Sequence, residues 1–180
     1  DSPEMFKEAS YQQAQALYDG GNYTVARVLF QNLADYSDSA DRAQACTYQE
    51  GKALYDAGDY AGAVAALAPL GEYEDAAQLV KQANYAMAEA KLTEGQDEEA
   101  GRLFLAAGDY SDAGARGNDC IYQAALAAKE TGDYDKATEL FTLIIGYLDS
   151  EGQIQDCLYQ QAVALRDSGD YAGALALLEM

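Results

Sequence analysis

The sequence contains no histidine and no tryptophan, and only two prolines, Pro3 and Pro69. Without histidine there is no Ser–His–Asp triad, no Cys–His pair and no His-ligated metal or haem site. Basic residues are scarce: 11 Lys and Arg stand against 31 Asp and Glu, a net charge of −20. A chain so acidic is unsuited to holding a phosphate backbone, which excludes nucleic acid as a partner. The charge reads first as a solvated surface, and more sharply as a groove that draws in a basic segment. Cysteine is limited to three residues, an odd number, so no fully paired disulfide framework is available. No apolar run reaches the roughly 18–20 residues of a membrane span, so no direct membrane insertion is expected. The chain opens at Asp1 with no signal-peptide pattern behind it, which reads as a fragment of a longer chain. Cytoplasm and bacterial cell envelope are both compatible with it.

What is abundant is alanine, 36 residues or a fifth of the chain, and what organises it is a repeat. Tyr11, Tyr48, Tyr85, Tyr122 and Tyr159 lie 37 residues apart. Ten residues after each comes Gly21, Gly58, Gly95, Gly132 or Gly169, followed by Asn22, Asp59, Gln96, Asp133 or Asp170. Further columns hold the same phase: Ala26, Ala63, Ala100, Ala137 and Ala174, then Phe30, Leu67, Phe104, Phe141 and Leu178. A second Tyr closes each complete unit, at Tyr36, Tyr73, Tyr110 and Tyr147, with Asp38, Asp75, Asp112 or Asp149 two residues later.

Each unit predicts a long helix and a short helix. The Gly column suits the left-handed residue that closes the first helix. The residue after it can accept a backbone N–H bond and cap the second. The Asp of the return turn is expected to cap the next long helix in the same way. Ser2, Pro3 and Glu4 make a good helix start. No strand pattern occurs. The units are approximately 1–37, 38–74, 75–111, 112–148 and 149–180, forming one repeat domain with about ten helices. A lone pair of Ala-rich helices buries too little surface to offset chain entropy, so the pairs must stack. Ala14, Gly51, Ala88, Ala125 and Ala162 are expected to face the Ala column of the short helices.

The run Gly132-Asp133-Tyr134, Ala137, Phe141, with the small residue Ala125 before it, resembles the tetratricopeptide repeat. The resemblance spans Tyr11 to Met180. The period is 37 rather than the family's usual 34 or so, and Asp38, Asp75, Asp112 and Asp149 replace the usual Pro. The signature, seen as "LADYSDS", "LGEYEDA" and "AGDYSDA", is similar to a bacterial variant of these repeats. The resemblance implies an all-α fold, a right-handed α-solenoid of antiparallel helix pairs. It also implies a non-catalytic protein-interaction scaffold without cofactor or metal, binding a peptide or protein segment in a concave groove.

By that pattern the groove residues are Tyr48, Lys52 and Tyr55, Tyr85 and Glu89, Tyr122 and Lys129, and Tyr159. Two readings of the leading Tyr column stay open: rings that grip a peptide, or rings that pack between long helices. Columns that vary between units, such as Lys52/Glu89/Leu126/Val163, fit a recognition role better than invariant ones. The competing function is a structural spacer or stalk segment of a larger, envelope-associated bacterial protein.

Three further features stand out. Cys46, Cys120 and Cys157 share one column and read as small packing residues. The third unit departs from the rest at Lys91 and Asp97, and places Gly101, Gly114 and Gly117 inside helical stretches. Since each Gly costs up to about 1 kcal/mol against Ala, residues 91–119 are expected to be the softest. Leu143, Ile144, Ile145 and Leu148 form an apolar cluster beside the fourth return turn. The last short helix carries no polar capping helix after it, so the expectation is either that the native chain continues or that two copies associate end to end.

Overall fold

The computed structural model describes residues 2–179, and among these every regular element is helical. The order is α1 Ser2–Asp19, α2 Tyr23–Leu33, α3 Ser39–Asp56, α4 Tyr60–Leu67, α5 Ala76–Thr93, α6 Asp97–Ala107, α7 Ala113–Glu130, α8 Tyr134–Leu143, α9 Ser150–Ser168 and α10 Tyr171–Leu178. A 3₁₀ turn, Ala68–Leu70, extends α4. Long and short helices alternate, as the repeat requires. The chain forms two compact units, one up to Ala86 and one from Met87, the boundary lying inside α5. In the first, α1 packs on α2, α2 on α3 and α3 on α4; in the second, the contacts run α6–α7, α7–α8, α8–α9 and α9–α10. Packing dominated by sequence neighbours is the pattern of an α-solenoid.

The turn between the two helices of a pair follows from two residues. At the end of α1, Gly21 (φ 79°) donates its N–H to Tyr18 at 2.9 Å, and Asn22 donates to Leu17 at 2.8 Å. These bonds satisfy carbonyls that the helix end would orphan, in the Schellman arrangement. Gly58, Gly95, Gly132 and Gly169 repeat it. The next residue then caps the short helix. Asn22, Asp59, Asp133 and Asp170 accept from the amides of Val25, Gly62, Lys136 and Gly173. One residue therefore closes one helix and opens the next.

The return turn behaves differently. Asp38, Asp112 and Asp149 make no side-chain bond to the first-turn amides of the following helix, so the expected capping role is not the one they take. Asp38 instead accepts from the Tyr11 hydroxyl and from Arg42 Nε. The turn is held by backbone: Tyr36 N–H donates to Leu33 and Ser39 N–H to Tyr36, and the same pair of bonds recurs at Tyr73, Tyr110 and Tyr147. Each turn also contains a left-handed residue that is not glycine, at Ser37, Glu74, Ser111 and Leu148 (φ 53°, 48°, 53°, 49°).

The first residue after α2 is strained. Ala34 sits at φ 49°, ψ −113°, where the corresponding Gly71 and Gly108 sit at φ 58° and 63°. A Cβ at such angles costs about 1–3 kcal/mol, more than the roughly 0.5–1 kcal/mol of extra chain entropy glycine brings. Ala34 is exposed, so its methyl holds no packing. Ala34→Gly is expected to raise stability by about 1 kcal/mol in urea denaturation; a loss would show that the angle carries no strain.

The core is as the small-residue columns anticipate. Ala14, Ala88, Ala125 and Ala162 are buried on the long helices, and Ala26, Ala63, Ala100, Ala137 and Ala174 on the short ones. Phe30, Leu67, Phe104 and Phe141 are fully buried. At Gly51 an added Cβ would stand 2.5 Å from Leu67 Cγ, so the small residue there lets α4 approach α3. Gly101 and Gly117 do the same for α6 and α7. A Cβ on Gly101 would meet the Ile121 side chain at 2.8 Å, and one on Gly117 would meet Leu105 at 2.9 Å. The expectation that these two glycines merely weaken their helices is thereby corrected; only Gly114, with its nearest atom 3.8 Å away, has no such role. The other oddities of this unit also belong together. Lys91 reaches Gln96 at 2.7 Å and Glu99 at 3.0 Å. Gln96 does not cap α6, but Asp97, Glu98 and Glu99 load its first turn with the charge that the helix dipole favours.

Candidate functional site

In three units the leading Tyr packs against its own unit. Tyr11 meets Phe30 edge-on at 5.6 Å and Tyr36 at 6.0 Å. Tyr48 meets Tyr73 at 5.7 Å, and Tyr122 meets Phe141 at 5.4 Å and Tyr147 at 6.2 Å. Each ring leans on its own short helix or return turn, and the hydroxyls reach forward. Tyr11 donates to Asp38, and Tyr48 donates to Asp75 at 2.6 Å. The Asp75 carboxylate favours the neutral phenol and pushes the Tyr48 pKa up to about 12. The Tyr11 hydroxyl likewise holds the Asp38 carboxyl below its ordinary value. Return-turn hydroxyls reach backward in turn, Tyr36 to Glu8 at 2.6 Å and Tyr147 to Asp119. A half-buried ring with a satisfied hydroxyl is a packing element with a polar latch.

The other groove candidates are placed as follows. Tyr55 stacks edge-on against Tyr60 at 5.4 Å and donates to Gln82 at 3.1 Å. Glu89 pairs with Arg116 at 3.0 Å. Lys129 pairs with Asp156 at 2.6 Å and donates to Gln153 at 2.6 Å. That carboxylate raises the Lys129 pKa, and the ammonium lowers the Asp156 pKa. Tyr85 and Lys52 are half-buried, and Tyr159 is 53% exposed. The candidates thus fall along the long helices without converging on one point.

One hollow does gather groups from this face. It has a volume of about 500 Å³ and is lined by Leu126, Lys129, Glu130, Tyr134, Asp156 and Gln160. Leu126 and Glu130 belong to columns that vary between units. Asp156 and Gln160 were not anticipated. The signal was available for Asp156: it lies three residues before Tyr159, one helical turn away, in the column of Glu8, Ala45, Gln82 and Asp119.

Cys46, Cys120 and Cys157 are buried and unpaired. Burial pushes the Cys46 thiol up to about 11, away from the reactive thiolate. Among the described residues no group of three or more acidic or thiol side chains could hold a metal. No described helix is long and apolar enough to cross a membrane.

Residues 8–39 match the tetratricopeptide repeat family model. That match runs from Glu8 within α1 through α2 and the first return turn, and the 37-residue period carries the same columns through the remaining units. The chain is a helical-repeat protein whose first unit matches the tetratricopeptide repeat. No curated protein matches it. Among solved structures, a Podosopora anserina protein described as a kinesin light chain with nearly identical TPR-like repeats is similar. It has 17% identity, with 96% of this chain and 91% of that one covered, at a TM-score of 0.20. A point variant of that protein gives 16% identity over the same spans, at a TM-score of 0.19. Tetratricopeptide-like repeats are generally protein-interaction scaffolds and typically non-catalytic.

Proposed function

We propose that this chain is a non-catalytic scaffold that binds a basic peptide or protein segment along the face of its long helices. The observation that carries this reading is the hollow beside Leu126. Tyr11, Tyr48 and Tyr122 are engaged in packing contacts, whereas four of the residues lining this hollow, Leu126, Lys129, Glu130 and Asp156, stand in columns that differ from unit to unit. Its chemistry is mixed. Leu126 and the Tyr134 ring offer apolar area, Lys129 is neutralised by Asp156, and Glu130 is left as an exposed carboxylate. With a net charge of −20 around it, a Lys- or Arg-bearing segment is the complementary occupant.

The test is to pan random peptides against the immobilised 180-residue chain. Peptides rich in Lys and Arg are expected to enrich. Leu126→Arg and Glu130→Lys should each weaken the selected peptides at least about tenfold, or 1.4 kcal/mol. Enrichment that survives both changes would remove the hollow from the reading. The spacer reading is favoured by one observation, the packing contacts of Tyr11, Tyr48 and Tyr122, and a panning experiment that enriches nothing would leave it standing.

A further inference from the structure

The short-helix Phe/Leu column is buried by the next long helix throughout the inner pairs. Phe30 clusters with Ala43 and Cys46 of α3, and Phe141 with Ile154 and Cys157 of α9. Leu67 clusters with Leu79 and Val80 of α5. At α9–α10 the same column is bare. Leu178 is 58% exposed, Leu175 61% and Tyr171 66%, and with Ala162, Val163 and Ala174 they line an apolar hollow of about 300 Å³. The face is shaped to receive a long helix bearing the stripe of Ala43 and Cys46.

One such helix has that stripe uncovered. In α1 the corresponding positions are Phe6 and Ala9, with Met5 in the column of Leu79. Phe6 is 73% exposed and Met5 71%, whereas Ala43, Cys46, Leu79 and Cys157 are buried. Sizes also match: Phe30 faces the small Ala43, and the smaller Leu178 leaves room for the larger Phe6. We propose that a second copy of this chain seats its α1 on the α9–α10 face, continuing the internal helix-pair interface from one molecule to the next. The contact is head-to-tail, so it propagates unless one face is blocked.

Repulsion between copies of charge −20 opposes this, so the test is made in about 1 M salt, where charges are screened beyond about 3 Å. In sedimentation, the mass of the 180-residue chain should rise with concentration above its monomeric 19.3 kDa. Phe6→Glu and Leu178→Glu, both at exposed positions, should each be monomeric alone. Mixed in equal amounts they should form a dimer and nothing larger, since each supplies the face that the other lacks. A wild-type chain monomeric at every concentration would overturn the proposal. So would dimerisation of Leu178→Glu alone (α1 on α1), dimerisation of Phe6→Glu alone (α10 on α10), or a mixture that stays monomeric. Hydrogen exchange of the wild-type chain gives a second readout without substitutions. Amides of α1 and α10 should slow together as concentration rises, and slowing of only one of them counts against the contact.

Discussion

Phe141→Ala is expected to cost about 3–5 kcal/mol, the range for truncating a fully buried phenylalanine. The ring is 0% exposed and belongs to a cluster with Ile121, Ala125, Leu140, Ile144 and Cys157. It also backs the Tyr122 ring at 5.4 Å. The cavity would therefore open between α7, α8 and α9, helices whose main packing is against their chain neighbours. A globular core can close over a lost side chain from several sides, but a stack of helix pairs has fewer elements to contribute. The change should be read in urea denaturation with helicity as the signal, and a cost below about 1 kcal/mol would mean that the stack collapses onto the gap. Because stability in such arrays is close to a sum over neighbours, the loss should concentrate in hydrogen exchange of α7 to α9.

The same dependence on neighbours explains which parts of the molecule could be read in advance. Gly21 and Asn22 announce a helix end and a helix start because their effects are local: one backbone angle and one hydrogen bond. The Ala and Phe columns announce the core because a period of 37 repeats one packing problem five times. The return turn was less legible. Asp38 looks like a helix cap, but a Tyr hydroxyl from 27 residues away claims its carboxylate, and nothing local signals that. The left-handed positions are filled by Ser37, Glu74, Ser111 and Leu148, so no glycine marks them. The Tyr ladder was the hardest case. An invariant ring on a helix face serves packing or recognition equally well in the sequence, and only the edge-on contacts with Phe30, Tyr73 and Phe141 show Tyr11, Tyr48 and Tyr122 packed against their own units. The fourth-turn cluster divides in a similar way: Ile144 is buried, while Leu143, Ile145 and Leu148 are exposed.

The glycines of the third unit separate helix propensity from packing in a single experiment. Gly101→Ala is expected to destabilise by about 1–3 kcal/mol, the usual penalty of overpacking. Its new methyl would stand 2.8 Å from the Ile121 side chain and 3.0 Å from the Ile121 backbone nitrogen. The side chain can rotate away, but the backbone can retreat only by moving α7 off α6. Gly117→Ala meets the same obstacle in the Leu105 nitrogen at 3.0 Å. Gly114→Ala carries the same propensity gain, up to about 1 kcal/mol in a helix interior, and meets only the Gly108 carbonyl oxygen at 3.8 Å. It should therefore stabilise. Propensity alone would make all three substitutions favourable, and opposite signs at positions 101 and 114 in urea denaturation would show that backbone approach decides. If Gly101→Ala were neutral or stabilising, α6 and α7 would not be held at the separation described, and the third unit would after all be the soft part of the array.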